Sequence, residues 1–186
     1  MKHVVLLLAP GFEEIEAVTV LDVLRRADIK TSTFAVAKDI KVTGAHGLSL
    51  NADQTLDHAP KNLLADMLVL PGGQPGANHL RDDASVQALI KKHNQENKFI
   101  AAICAAPIAL AKSINLQARH LTCYPGFEGV IEEAGAKIDT SDVVQDQNII
   151  TGRGPAAAMA FALKCVEVLT DSEMSMRIEK ALRAEV

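Results

Sequence analysis

The chain has 186 residues, of which 48% are hydrophobic and 23% charged, and its formal net charge is −4 at pH 7. This composition is typical of one globular domain and excludes intrinsic disorder. The negative charge and the aromatic content of only 3% provide no surface for binding nucleic acid or an anionic membrane. No apolar run reaches the roughly 18 residues of a membrane span, and Met-Lys-His leads directly into an apolar segment, so no span and no secretory signal are predicted.

The cysteines and histidines show no metal or disulfide spacing. Cys104, Cys123 and Cys165 are far apart and form no CxxC pair, which is typical of a cytoplasmic protein without a disulfide framework. No HxH, HExxH or GxGxxG motif occurs, so we predict neither a metal site nor a cofactor. His93 is predicted to lie on a helix surface, and no histidine stands out as a catalytic base.

The predicted strands and helices alternate along the chain. In chain order we expect strand Val4–Leu8, helix Glu13–Ala27, strand Thr31–Ala37, a small hairpin within residues 38–60, strand Met67–Leu70, helix Asp82–Asn97, strand Phe99–Ile103, a helix over 105–112, strands near Ala136–Ile138, Val143–Val144 and Ile149–Thr151, a helix over Ala156–Leu169 with Pro155 at its start, and helix Ser172–Arg183. This order predicts one α/β domain over residues 1–186, with a doubly wound, mostly parallel sheet covered by helices on both faces.

In such sheets the functional site lies beyond the carboxyl ends of the strands. Four segments follow predicted strands directly: Pro10–Glu16, Pro71–Gly76, Cys104–Ala106 and Gly152–Pro155. Candidate site residues are therefore sought in these four segments.

Cys104 lies between a strand and a helix, with small residues two positions away on either side. A sharp strand-to-helix turn of this kind is typical of a nucleophile elbow. The N-terminus of the following helix would lower the pKa of the thiol. A buried, inert cysteine is the alternative interpretation.

Two other segments offer groups that could act on the sulfur. The Pro71-Gly72-Gly73 turn could direct backbone N–H groups at an oxyanion, although a plain tight turn explains it equally. A helical wheel places Glu16 on the apolar side of the first helix, pointing into the crevice, where burial would favour its protonated form. Glu13 falls on the same side, so the wheel does not separate the two acids, and a solvated first-turn glutamate stays an alternative.

Taken together, the motifs Leu8-Ala9-Pro10-Gly11, Leu70-Pro71-Gly72-Gly73, Ala101-Ala102-Ile103-Cys104-Ala105-Ala106-Pro107 and Thr151-Gly152-Arg153-Gly154-Pro155 resemble the ThiJ/PfpI superfamily, and most of all its YajL-like and Parkinson-disease-protein-like branch. The resemblance spans nearly the whole chain. It implies a flavodoxin-like domain of the class I glutamine amidotransferase-like type, usually a homodimer. It also implies that Cys104 is a reactive thiolate, that Glu16 is its protonated partner, and that Gly73 and Ala105 supply backbone donors.

The sequence departs from that family pattern at two positions. The peptidase branch carries a histidine directly after the cysteine, where this chain has Ala105, so we do not expect peptidase activity. Tyr124 stands where the Parkinson-protein branch carries a histidine, and a tyrosine with an ordinary pKa of about 10 is a poor base. His46 aligns with a basic residue that some relatives present near the partner's site. Ile15 and Val18 fall on the otherwise polar face of the first helix, which agrees with a dimer interface.

The resemblance implies a cofactor-independent, glyoxalase III-like enzyme in which Cys104 adds to a small α-oxoaldehyde, or a deglycase that acts on glycated amines or thiols, in defence against carbonyl and oxidative stress. The alternative is a redox sensor or stress-linked chaperone in which Cys104 is oxidised without substrate turnover. A flavin-binding protein is the third hypothesis, and the scarcity of aromatic residues disfavours it.

Overall fold

The computed structural model describes residues 2–183, and within them a seven-stranded sheet forms the centre of the fold. We number its strands together with those of two small two-stranded sheets: β1 His3–Leu8, β2 Lys30–Ala35, β3 Lys41–Thr43, β4 Ser49–Asn51, β5 Gln54–Thr55, β6 Met67–Leu70, β7 Phe99–Ile103, β8 His120–Leu121, β9 Lys137–Ile138, β10 Val143–Asp146 and β11 Ile149–Gly152. The order in the large sheet is β10-β11-β7-β6-β1-β2-β5. Only the β10–β11 pair is antiparallel, so the predicted mostly parallel α/β sheet is confirmed.

The helices form two layers. Their bounds are α1 Glu14–Arg26, α2 Gly76–Asp82, α3 Ala84–Gln95, α4 Pro107–Ser113, α5 Glu128–Glu133, α6 Ala158–Leu169 and α7 Ser172–Leu182. Helices α1, α6 and α7 pack together, and α2, α3 and α4 form a second group. Consecutive residues of β1 and β6 are fully buried, as expected of strands covered on both faces.

The strand order places the candidate segments side by side. Along the chain, β1 is followed by β2 on one side, and β6 and β7 then add on the other side of β1. The topological switch point therefore lies between β1 and β6. Because these strands run parallel, the segments after Leu8, Leu70 and Ile103 meet at one edge of the sheet, which is where ligands bind in this class of fold.

The structure corrects three details of the sequence prediction. The predicted helix Asp82–Asn97 is α3, which starts two residues later, at Ala84, because Asp83 has extended backbone and its carboxylate accepts a 2.9 Å hydrogen bond from the N–H of Val86 as the N-cap. Helix α2 was not predicted, since Pro75-Gly76 reads as a turn. Pro155 begins a short 3₁₀ turn, and α6 itself starts three residues later, at Ala158.

His93 lies inside the protein, which makes the prediction of a helix-surface residue wrong. Its side chain is fully buried between α3 and the segment before β6. Nδ1 contacts the carbonyl of Leu89 at 2.8 Å, and Nε2 accepts from the N–H of Ala65 at 3.2 Å. These partners fit a neutral imidazole with its proton on Nδ1, and burial lowers the pKa of His93.

Candidate active site

Cys104 occupies a strained turn directly after β7. Its φ angle is +65°, in the left-handed region that costs a residue with a side chain about 1–2 kcal/mol. Two backbone hydrogen bonds hold the turn: the Cys104 N–H donates to the carbonyl of Gly152, and its carbonyl accepts from the N–H of Tyr124, each at 2.8 Å. Only 8% of Cys104 is exposed. The arrangement is that of a nucleophile elbow, with the thiol presented at the edge of the sheet.

Glu16 lies beside this cysteine, although it comes from the first helix. The side chain is completely buried, and Oε2 accepts a 2.7 Å hydrogen bond from the N–H of Gly72. Among the described residues, Oε1 has no N–H or O–H donor within reach. Cys104 lies on the other side of the Gly72 turn, close enough for each of the two groups to shift the pKa of the other. The structure thus brings together the two residues that the family resemblance pairs.

The structure separates Glu16 from Glu13, which the helical wheel could not do. Glu13 is the N-cap of α1, where its side chain accepts a 3.4 Å hydrogen bond from the N–H of Ile15. Its own N–H donates to the carbonyl of Gly72 at 2.9 Å. Glu13 therefore fixes the helix against the β6 turn, whereas Glu16, almost one turn later, faces the sulfur.

Burial governs the protonation of the pair. It raises the pKa of Glu16 to about 7, and the nearby charge of Glu13 adds to this shift. Burial and the charge of an ionised Glu16 raise the pKa of the Cys104 thiol to about 12, whereas N–H groups of Gly73 and Ala105 lower it. The repulsion disappears when Glu16 holds the proton. The thiolate expected from the helix N-terminus alone thus depends on a neutral Glu16, and the two groups titrate as one system.

The glycine turn after β6 separates the two side chains and has no room for a larger residue. A Cβ added at Gly72 would lie 2.5 Å from Cβ of Cys104, 2.8 Å from Oε2 of Glu16 and 2.9 Å from the carbonyl oxygen of Ile103. Gly73 has a φ of +89°, a conformation that glycine adopts without strain. The turn therefore requires glycine because the side chains of Cys104 and Glu16 pack directly against it. Its N–H groups reach both the carboxylate and the sulfur.

His46 lies in the β3–β4 loop and pairs with the start of α1. Its side chain is 74% exposed, and Nδ1 lies 3.0 Å from Oε2 of Glu14 and 3.5 Å from Oε2 of Glu13. Glu14 also accepts from the backbone N–H groups of His46 and Leu48. These contacts lower the pKa of Glu14 and raise that of His46. Glu13, Glu14 and His46 could each offer one ligand atom to a metal ion, with the three atoms within 4.8 Å of one another. Sequence patterns did not single out Glu14, because its partners are about thirty residues away.

Tyr124 borders the site on the side of β11. It is 45% exposed, and its backbone is bonded to Cys104 as described above. A Cβ at Gly154 would lie 3.0 Å from the tyrosine ring, so the absence of a side chain at Gly154 leaves room for the ring. Tyr124 therefore flanks the nucleophile elbow, in the position where the resemblance expects a histidine.

Comparison with known proteins assigns this chain to a family. Residues 2–168 match the model of the DJ-1/PfpI family, and the chain belongs to that family. It is 35% identical over 181 residues to "Protein dj-1beta" of Drosophila melanogaster, a match covering 97% of this chain and 96% of the relative. It is 31% identical over 189 residues to the "Glutathione-independent glyoxalase DJ-1" of Schizosaccharomyces pombe, covering 98% of each. The solved structure "Toxoplasma gondii DJ-1, oxidized" superposes with a TM-score of 0.92 at 34% identity, covering 98% of each chain.

In the part of the chain that the structure describes, no helix is long and apolar enough to cross a membrane.

Proposed function

We propose that the protein is a cofactor-independent enzyme that converts small α-oxoaldehydes such as methylglyoxal to hydroxy acids. The observation that carries the proposal is the completely buried Glu16 carboxyl beside the Cys104 thiol, on a turn with a φ of +65°. When the pair holds a single proton and that proton is on Glu16, Cys104 is a thiolate and Glu16 is a neutral acid. The similarity to a relative named as a glutathione-independent glyoxalase supports the same chemistry.

The first step forms a carbon–sulfur bond. The Cys104 thiolate attacks the aldehyde carbon, and the carbonyl oxygen takes the proton of Glu16, which gives a hemithioacetal and a carboxylate. The N–H groups of Gly73 and Ala105, which face the sulfur, stabilise its negative charge before attack. Methylglyoxal needs no glutathione in this scheme, because the protein's own thiol takes its place.

The second stage moves protons and releases the product. The Glu16 carboxylate removes the proton from the former aldehyde carbon, giving an enediolate. The hydroxyl proton then passes to the neighbouring oxygen, and Glu16 returns its proton to the neighbouring carbon. The product of this shift is a thioester of lactate on Cys104. Water hydrolyses the thioester, so the sum is methylglyoxal plus water giving lactate, with no oxidant or reductant. A pKa of about 7 for Glu16 suits a group that both gives and takes a proton near neutral pH.

The same first step would let the protein act on glycated amines or thiols, as a deglycase does. The Cys104 sulfur would then displace the amine or thiol from the aldehyde-derived carbon, and the leaving group would take the proton of Glu16, which gives the same hemithioacetal. Peptidase activity is not part of the proposal, because Ala105 provides no base next to the nucleophile.

The experiment supplies methylglyoxal without glutathione and follows lactate. We expect formation of lactate by the unaltered protein and its loss in Cys104→Ser. Cys123→Ser is the matched control. Cys123 is also a buried free cysteine, but it is not part of the Cys104–Glu16 pair. Lactate formation at an equal rate in Cys104→Ser would refute the proposal.

A redox-sensing role is the second candidate, and the free Oε1 of Glu16 favours it. A protonated carboxyl beside Cys104 could donate a hydrogen bond to a sulfinate oxygen formed when hydrogen peroxide oxidises the thiolate in two steps, each releasing water. Three free cysteines also agree with the reducing cytoplasm predicted from the sequence. Mass spectrometry after mild peroxide treatment should show two added oxygens at Cys104 and none at Cys165. Selective oxidation without aldehyde turnover would favour this role over the enzymatic one.

We also propose that the protein is a homodimer built around the start of α1. Ile15 and Val18 are 56% and 40% exposed, and Leu48, whose N–H donates to Glu14 on α1, is 52% exposed. All three exposed apolar residues belong to the start of α1 or to the β3–β4 loop that is hydrogen-bonded to it, which also carries His46. A second copy covering these residues would bring His46 and the first turn of α1 to the interface, close to the helix that carries Glu16.

A further inference from the structure

A cavity of about 340 Å³ lies next to Tyr124. Its walls are formed by Tyr124, Pro125, Asp142, Arg153 and residues 154–157. Cavities of this size, about 300 Å³ and above, hold ligands considerably larger than a three-carbon oxoaldehyde. The cavity therefore offers more room than the substrate of the proposed reaction requires.

The cavity and the nucleophile share the same two segments of chain. The N–H of Tyr124 donates to the carbonyl of Cys104, and the N–H of Cys104 donates to the carbonyl of Gly152, two residues before Gly154 in the cavity wall. The tyrosine ring lies over Gly154. The cavity therefore adjoins the turn that carries Cys104.

The side chains of the cavity suit a neutral chain of hydroxyl groups. Tyr124, Pro125 and Pro155 offer apolar faces. Arg153 and Asp142 are joined through the backbone, by a 2.8 Å hydrogen bond from the N–H of Arg153 to the carbonyl of Asp142. Within residues 2–183 neither side chain forms an ion pair, and the guanidinium donates only to the carbonyl of Thr140, at 3.1 Å. Most donors of Arg153 and the carboxylate of Asp142 are therefore free for a ligand.

The opposite charges of these two residues give a charged tail no net attraction, because a tail of either sign is attracted by one side chain and repelled by the other. Hydroxyl groups can accept from the guanidinium and donate to the carboxylate, while the C–H faces of the same chain pack on the tyrosine ring and the prolines.

We propose that the substrates of this site are polyhydroxylated, sugar-derived α-oxoaldehydes, whose aldehyde end reacts at Cys104 and whose hydroxylated tail fills the Tyr124 cavity. The proposal rests on the Cys104 chemistry of the proposed function and adds a specificity site to it. Arg153 and Asp142 bind the tail, and Tyr124 is the surface on which the tail packs. The covalent steps are those given above for methylglyoxal.

The kinetic experiment compares glucosone, a six-carbon α-oxoaldehyde, with methylglyoxal. We expect kcat/KM to be higher for glucosone in the unaltered protein, and Arg153→Met to lower it about tenfold, as loss of a hydrogen bond to a charged group does. Arg153→Lys should restore part of it. The ratio of kcat/KM for glucosone to that for methylglyoxal should therefore fall in Arg153→Met, because only the longer molecule carries the hydroxyl groups that Arg153 would bind. Arg81→Met is the matched control, since Arg81 pairs with Asp82 outside the cavity.

A binding experiment reads the cavity without any turnover. Tyr124 is the only tyrosine of a chain that has no tryptophan, so tyrosine emission reports on this cavity alone. Sorbitol, a polyol that has no aldehyde, should change the emission in a saturable way, and Arg153→Met should weaken the effect. An absent or non-saturable change, or an equal change in Arg153→Met, would overturn the proposal.

The two experiments separate this inference from the proposed function. If the Cys104 chemistry is wrong, neither aldehyde is converted, yet sorbitol still changes the tyrosine emission. If only the specificity proposal is wrong, methylglyoxal is converted, glucosone has no advantage, and Arg153→Met alters neither kinetics nor emission.

Discussion

The carboxylate of Glu16 accepts a 2.7 Å hydrogen bond from the backbone N–H of Gly72. This contact joins the first helix to the turn after β6, across 56 positions of the chain. It occupies Oε2, while Oε1 has no hydrogen-bond partner among the described residues. The orientation of the acid is therefore set by a backbone group, and the identity of the residue at position 72 matters to the chemistry as well as to the packing.

Gly72→Ala should damage both stability and activity. The new Cβ would lie 2.5 Å from Cβ of Cys104, so the turn must move and its N–H must leave Glu16. We expect a loss of about 1–3 kcal/mol in the free energy of unfolding, as for other overpacked sites, measured by urea denaturation, together with loss of lactate formation. Gly129→Ala is the control, since a Cβ there meets nothing within 4 Å and helix α5 tolerates alanine. Equal stability of the two variants would show that the turn is not constrained.

Glu16→Gln should keep the shape of the site but remove proton transfer. We expect kcat to fall about 10²–10⁴-fold, the usual contribution of a positioned acid or base. In the unaltered protein the activity should rise as the pH increases through about 7, because the carboxyl pKa lies there and the fully protonated pair holds no anion.

The matched control for that variant is Glu13→Gln, one turn away. The charge of Glu13 raises the pKa of Glu16, so its removal should move the acid limb of the pH profile to lower pH while activity persists. An unchanged profile in both variants would mean that neither acid controls the reaction.

The apolar surface on α1 predicts a dimer that one substitution can disrupt. Val18→Glu should shift the protein to a monomer in size-exclusion chromatography with light scattering, because it places a charge in a surface that the partner would cover. Met176→Glu alters another exposed apolar side chain, 53% exposed on α7, and should leave the dimer intact. A monomeric unaltered protein, or equal behaviour of the two variants, would contradict the proposed interface.

Buried His93 should make the protein sensitive to acid. Its pKa is lowered in the folded state, whereas in the unfolded chain it lies at about 6.5. The unfolded chain therefore binds the proton more readily, and the free energy of unfolding should fall as the pH drops below about 6.5. His93→Gln can keep both hydrogen bonds without titrating. Its stability should depend less on pH over this range, and an identical slope in both proteins would contradict this role.

The sequence predicted what local pattern determines. The unbroken apolar run of β1 and the proline and glycines after β6 indicated the parallel sheet and the turn at its edge. The family motifs then indicated Cys104 and Glu16. Patterns of this kind reflect burial and turn geometry. Because these properties depend on residues that are neighbours in the chain, they can be predicted from a single sequence.

Long-range contacts could not be predicted in the same way. Glu14 lies on a first helical turn like any solvated acid, and only the β3–β4 loop, 32 positions later, makes it a partner of His46. His93 lies in the middle of the polar stretch Lys91–Gln95 of α3, and its burial follows from the segment before β6 packing over it. Asp142 and Arg153 share a cavity because β10 and β11 pair as antiparallel strands.

The most direct test is a pH titration of thiolate absorbance in the ultraviolet, taken as the difference between the unaltered protein and Cys104→Ser. If Glu16 holds the proton and Cys104 carries the negative charge, thiolate absorbance should appear near pH 7. In Glu16→Gln, which cannot take the proton, that transition should shift. If thiolate absorbance appears only at strongly alkaline pH, Cys104 is still a thiol when Glu16 ionises near pH 7. The negative charge then lies on Glu16, which would contradict the account.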